Sequence, residues 1–296
     1  MKLRNGQFEL TVSPATGRVI AYGPVGGPNV LWHNPRAPET PVVFPGWVNW
    51  GGDKIWIWPE EDWARWNPET RHPPGDPSPV PHQLEGDGLW LRMTSPLLPD
   101  YGVRIVRDIS LAPSGSLVTF INRLEQAAPG RLALPVGVWP VTQLPAAPQI
   151  YARLSPDAEP PGYESFPGTA WPNLERNGNL VTLHRPAAPW QKIGLDADSL
   201  AVPVAGHLFI AATPVPPSAP QTRFRRAQVF SDPDDSPFRL PGVPPYVELE
   251  FTSALQQLSV GQSASLTVTW ELVRLAEQGV GAVESLAAYT PCAGSV

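Results

Sequence analysis

Proline sets the first limit on what this chain can become. It carries 40 prolines and 25 glycines in 296 residues, so a backbone breaker is rarely far away and long helices are excluded. Between the breakers the pattern is alternation of apolar and polar residues, the period of a strand with one face buried. FELTV, the turn SPATG and RVIAYG read as a hairpin, with Gly17 supplying the positive φ that such a turn wants. GLWLRMTS, YGVRIVRDISLA and SLVTFINRLEQ follow, the last two joined across Pro113-Ser114-Gly115. Then come RLALPVGVWPVTQL, NLVTLHRP, GHLFIAATPV, RRAQVFSD, YVELEFTSAL and SASLTVTWELVRL. Helix candidates are short: a turn begun by Pro59 in WPEEDWARW, with acidic residues suited to its N-terminal end, and a piece near AVESLAAY. The expected class is all-β, a large antiparallel sandwich with long proline-rich loops at 67–82 and 213–221. Alternation continues past both loops without a change of composition. A single domain over 1–296 is therefore expected, with a peripheral tail from about 276, and no fixed repeat suggests a propeller.

Composition removes several function classes. A formal net charge of −6 is the wrong sign for a nucleic-acid partner. No Lys/Arg run suits an anionic membrane surface, and no apolar run is long enough to span a bilayer. MKLRNGQFELTV has no apolar signal core, so a soluble cytoplasmic protein is expected. Cys292 is the sole cysteine, and the histidines at 33, 72, 82, 184 and 207 are scattered, so neither a metal site nor a cofactor is expected. GGDK lacks the spacing of a P-loop, and neither GxGxxG after a strand nor GxSxG occurs.

What remains is aromatic and carboxylate chemistry. WVNWGGDKIWIWPEEDWARW, residues 47–66, holds six of the twelve tryptophans beside a glycine pair and the ions Asp53 and Lys54. Sugars present apolar C–H faces beside rings of hydroxyls, so a site for them needs flat platforms next to planar polar groups. Trp47, Trp50, Trp56, Trp58, Trp63 and Trp66 offer platforms; Asn49, Asp53 and Lys54 offer a polar edge; Gly51-Gly52 permits close backbone approach. The plainer alternative is that these tryptophans cap the core and Asp53-Lys54 is a solvated turn. GVWPVTQL adds Trp139, Thr142 and Gln143, where Gln143 either reads a hydroxyl or satisfies a strand end. In YVELEF, Glu248 and Glu250 share one strand face by period two, facing either a concavity, where one is a general-base candidate, or water. Lys192 in WQKIGLD is a candidate hydroxyl contact or a surface lysine. His207 is read as a strand residue in preference to an acid.

The order ELTVSPATGRVIAYG, NVLW, WVNWGGDKIWIWP, INRLE, LALPVGVWPVTQL, YVELEF and LSVGQSASLTVTWEL resembles the galactose mutarotase-like proteins, the aldose 1-epimerases and their relatives. The resemblance runs from about residue 5 to 275 and is most specific at NWGGDK and VWPVTQ. It implies a two-sheet β-supersandwich with a broad concave face that binds a carbohydrate, whether small sugar or glycan. Aldose 1-epimerases open the sugar ring with a histidine general acid and a strand-borne glutamate base. The resemblance puts the glutamate at Glu248 or, one pleat on, at Glu250. Where a histidine is expected, GVWPVTQ has Trp139 before Pro140, which leaves Asp53 or Lys54 to replace the acid. The expected catalytic set is thus Glu248, Asp53 and Lys54, with Asn49, Trp50, Trp56, Trp58, Trp139, Gln143, Lys192 and Glu250 around the substrate. The competing reading is a glycan-binding or accessory module that performs no chemistry.

Overall fold

The computed structural model describes residues 1–34, 36–37, 48–62, 82–99, 101–130, 135–166, 168–187, 189–213, 226–236, 239–275 and 281–289. Alternating segments pair into two antiparallel sheets. The first has nine strands, in the order Lys2–Arg4, Phe8–Ser13, Arg18–Pro24, Asp53–Trp58, Gly137–Pro145, Tyr246–Phe251, Ala227–Ser231, Gln191–Leu195 and Tyr163–Ser165. The second has ten, in the order Leu174–Asn177, Leu180–His184, Gln149–Leu154, Ala197–Val204, His207–Ala212, Ser263–Arg274, Val118–Gln126, Val103–Leu111, Trp90–Thr94 and Gln83–Asp87. The expected hairpin forms, with Phe8–Ser13 against Arg18–Pro24 and Gly17 at φ 62°.

Side chains from the facing sides of the two sheets merge into one large apolar cluster that includes Leu10, Ile57, Val138 and Leu249 from the first sheet and Ile105, Phe120, Leu200 and Trp270 from the second. The all-β antiparallel sandwich expected from the alternation, in the two-sheet form that the resemblance implies, is the fold observed. Among the described residues, helix is confined to short pieces. At WPEEDWARW the described part is a 3₁₀ turn, Glu60–Asp62, while AVESLAA forms the α-helix Ala282–Ala288. Leu286 and Tyr289 pack that helix against Tyr151, Ala201, Leu208 and Ile210 of the second sheet. No helix among the described residues is long and apolar enough to cross a membrane.

Three central strands of the first sheet, Asp53–Trp58, Gly137–Pro145 and Tyr246–Phe251, are buried almost throughout. One face of this sheet meets the second sheet. The other, outer face is buried as well, and polar residues gather on it.

Candidate functional site

Strand register decides which residues share the outer face. Asp53 pairs with Thr142, and its carboxylate is held by Arg107 of the second sheet, so Asp53 points inward. Successive strand residues alternate, so Lys54, Trp56 and Trp58 point outward. Lys54 lies opposite Val141, Val141 opposite Glu250, Glu250 opposite Gln228, and Gln228 opposite Gly194. One pleat away, Gln143 lies opposite Glu248, Glu248 opposite Phe230, and Phe230 opposite Lys192. Residues separated by up to 194 positions thereby become neighbours on one surface.

The two glutamates are each held by an amide or indole donor and a lysine. Gln143 Nε2 donates to Glu248 Oε1 at 2.8 Å, and Lys54 Nζ approaches the same oxygen at 3.5 Å. Trp139 Nε1 donates to Glu250 Oε2 at 2.9 Å, and Lys192 Nζ lies 3.3 Å from that oxygen. Lys192 also binds Glu60 Oε2 at 3.1 Å. Both ammonium groups sit over indoles, Lys54 3.9 Å from the Trp56 ring centre and Lys192 4.7 Å from that of Trp139, geometry in the range of cation–π attraction. Glu250 Oε1, Gln143 Oε1 and both amide atoms of Gln228 are buried and make no hydrogen bond among the described residues. Buried polar atoms are ordinarily paired, so this group of unsatisfied acceptors, with one donor, marks a place for hydroxyls of water or of a ligand.

Burial raises the Glu250 carboxyl to about 7; Lys192 pulls it down, while Glu248 and Glu60 push it further up. For Lys192, burial alone would lower the ammonium, but the carboxylates of Glu250, Glu60 and Glu248 together outweigh it and raise it above the usual lysine range. The Glu250 shift makes a stability prediction. Between about pH 4.5 and 7 the folded state keeps a proton that the unfolded chain has lost, so stability falls as pH rises through this window, by up to about 3 kcal/mol. Burial also pushes Asp53 and Asp232 upward. The informative measurement is therefore urea unfolding of wild type and Glu250→Gln at both ends of the window. The variant should lose distinctly less stability with pH, and equal losses would refute the assignment.

Sequence-expected residues divide between the two faces. Lys54, Trp139, Gln143, Lys192, Glu248 and Glu250 converge on the outer face. Asp53 does not join them: Arg107 and Thr142 hold its carboxylate between the sheets, which removes it as a replacement acid. Asn49 sits at the glycine turn, where its Oδ1 accepts from Gly51 N at 3.3 Å and its side chain meets the Tyr246 hydroxyl at the end of the glutamate strand. Trp50 adjoins that turn, half-buried. Trp56 and Trp58 are on the expected face, yet both meet the Trp139 ring nearly edge-on, at 5.3 and 5.5 Å. They brace Trp139, which in turn positions Glu250, so their role as open platforms is corrected to that of supports. Trp47, Trp63 and Trp66 lie outside the described residues. His184 bonds Glu175, the His207 ring meets the Ala205 carbonyl, and His82 packs against Gly17.

Three contributors had escaped notice. Gln228 and Phe230 enter through cross-strand register alone, and a period-two reading of RRAQVFSD would have put both on one face without saying which. Glu60 belongs to the 3₁₀ turn and reaches Lys192 across 132 residues. Side-chain exposure rises from 0% at Glu250 through 11% at Lys192 to 42% at Glu60, so the cluster meets solvent on the Glu60 side.

No protein-family model matches the chain, nor does any curated protein. Solved structures do match. A TPR-domain containing protein from Parabacteroides distasonis superposes with a TM-score of 0.60 at 17% identity, over 92% of this chain and 46% of that one, so the present chain spans about half its length. A candidate mutarotase from Salmonella typhimurium gives 0.57 at 12% identity over 93% of this chain and 90% of its own. A candidate aldose 1-epimerase from Escherichia coli K12 gives 0.56 at 14% identity over 93% and 98%. Likeness over nine-tenths of the chain to these mutarotase and aldose 1-epimerase structures identifies the fold as galactose mutarotase-like.

Proposed function

We propose that the outer face of the first sheet binds a sugar, and that Glu248 and Glu250 act on its anomeric centre as a base and acid pair. The observation that carries this reading is the convergence of two carboxylates, one of them raised to about 7, beside unsatisfied buried amide and carboxylate oxygens. A carboxyl raised to about 7 is suited to give up a proton near neutral pH, as general acid catalysis requires. The fold shared with mutarotase and aldose 1-epimerase neighbours supports the same reading by analogy.

In ring opening, the Glu248 carboxylate takes the proton of the anomeric hydroxyl as the bond from C1 to the ring oxygen breaks. Protonated Glu250 gives its proton to that ring oxygen. Rotation about C1–C2 and the reverse transfers close the ring as the other anomer, with both carboxyls restored. Lys54 and Gln143 orient Glu248; Trp139 and Lys192 orient Glu250; Gln228 and the unsatisfied oxygen of Gln143 are placed to meet sugar hydroxyls.

Exchange between α and β anomers of D-glucose and D-galactose, followed by magnetisation-transfer NMR, tests this directly. Wild type should accelerate exchange over buffer. Glu250→Gln should reduce the enzymatic part by about 10²- to 10⁴-fold, the usual worth of a positioned acid, and Glu248→Gln by a similar factor. Saturable quenching of tryptophan fluorescence without any acceleration would instead support a glycan-binding module that performs no chemistry. Neither quenching nor exchange with these and other neutral aldoses would overturn the proposal.

A further inference from the structure

We infer that Trp190 is a stacking platform for a second sugar unit, so that the ligand is an oligosaccharide whose end unit occupies the glutamate cluster. This rests on the proposed reading of the cluster as a sugar site. While Trp56, Trp58 and Trp139 are buried among themselves, Trp190 is 47% exposed. An exposed indole beside a candidate sugar site offers an apolar face on which a sugar ring can stack.

Its position is defined from below. The Trp190 ring lies nearly parallel to Phe230, 29° apart with centres at 6.2 Å, and Phe230 in turn packs on Tyr246 at 6.1 Å. Phe230 is the cross-strand neighbour of both Lys192 and Glu248. The indole therefore rests on an aromatic base that adjoins the glutamate cluster, with about half of its surface exposed.

Two residues on from Trp190, within the strand Gln191–Leu195, Lys192 holds Glu60, whose side chain is 42% exposed. Across the strand pair, Arg185 donates to the Asp232 carbonyl at 2.6 Å and to Asp234 at 2.7 Å, and Asp234 is 56% exposed. An exposed indole, with the partly exposed carboxylates of Glu60 and Asp234 on residues paired to neighbouring segments, suits a pyranose ring, which offers a C–H face to the indole and equatorial hydroxyls to carboxylates. The carboxylates make an anionic sugar a poor fit, so the second unit is neutral.

Isothermal titration of wild type, Trp190→Ala and Trp190→Tyr with glucose, galactose, maltose, cellobiose and lactose tests the assignment. At least one disaccharide should bind wild type on the order of tenfold more tightly than its monosaccharides, the scale of one aromatic stacking contact. In Trp190→Ala that ratio should collapse toward one, and Trp190→Tyr should restore part of it. A purely structural role for Trp190 would lower thermal stability while leaving the ratio intact, and that result overturns the inference. A wild type that binds monosaccharides without preferring any disaccharide also overturns it, while leaving the proposed function standing. Failure of every sugar to bind defeats both.

Discussion

Arg107→Leu is expected to lower unfolding stability by about 3 to 5 kcal/mol, the cost of leaving one partner of a buried ion pair alone. Arg107 reaches from the second sheet to the Asp53 carboxylate of the first, and its Nε donates to Asn122 at 3.0 Å. Its cation also lies 5.3 Å from the Phe120 ring centre. Leucine fills part of the volume but leaves Asp53 with Thr142 as its remaining hydrogen-bond donor among these contacts. Burial already pushes the Asp53 carboxyl upward, opposed by Arg107. In the variant the carboxyl takes up a proton more readily, so the loss should be smaller in acid than above neutral pH. Urea unfolding across that range measures it, and adding Asp53→Asn should recover part of the loss. A cost below about 1 kcal/mol, or one independent of pH, would show that this pair does not tie the sheets together. A consequence for the site follows, because Asp53 anchors the inward side of the residue pair whose outward member is Lys54.

Gly52→Ala should be of similar size, roughly 2 to 6 kcal/mol, from two separate causes. Gly52 has φ +73°, and a Cβ there would lie 2.1 Å from the Val19 carbonyl oxygen. Gly51, at φ +80°, is as constrained, its Cβ 2.4 Å from the Trp32 carbonyl oxygen. The turn cannot move aside: Gly52 N donates to Trp32 O at 2.7 Å, Gln143 N donates to Gly52 O at 2.9 Å, and Arg18 donates to Gly51 O at 3.0 Å. An alanine must therefore push apart the strands that carry Lys54 and Gln143. Where the variant still folds, sugar affinity should fall together with stability, both measured on the same preparation. Wild-type stability with weakened binding would mean that the glycines serve ligand approach and not the turn.

These two residues show why N-W-G-G-D-K interrupts a tryptophan-rich strand. The glycines make the tight turn into the strand, the aspartate fastens its inner side, and the lysine presents a charge on its outer side. Period two separates Asp53 from Lys54 once this segment is a strand, so the grouping of both on one polar edge is corrected by the strand Asp53–Trp58. Which face is the core depended on Arg107, whose nearest cue in the sequence is an ordinary alternating position in YGVRIVRDISLA. The tryptophans were harder for a related reason. An indole can be a platform or a brace, and the choice between them for Trp56 and Trp58 was made by the Trp139 ring, supplied by a strand about 80 residues away.

Local chemistry was enough for eleven of the nineteen strands among the described residues, the first hairpin at Gly17, the C-terminal helix and the shared face of Glu248 and Glu250, but not for Asp53–Trp58, Gln191–Leu195 or Ala197–Val204. Each rests on residues within a few positions of one another, and short-range sterics and side-chain alternation act at that distance. Only tertiary structure decided that Gln228, Phe230, Lys192 and Glu60 join those glutamates, and that Asp53 does not. Antiparallel register brings together segments far apart in the chain, and burial in that sheet, through desolvation and the charges it gathers, raises Glu250 where an isolated strand would leave it an ordinary carboxylate.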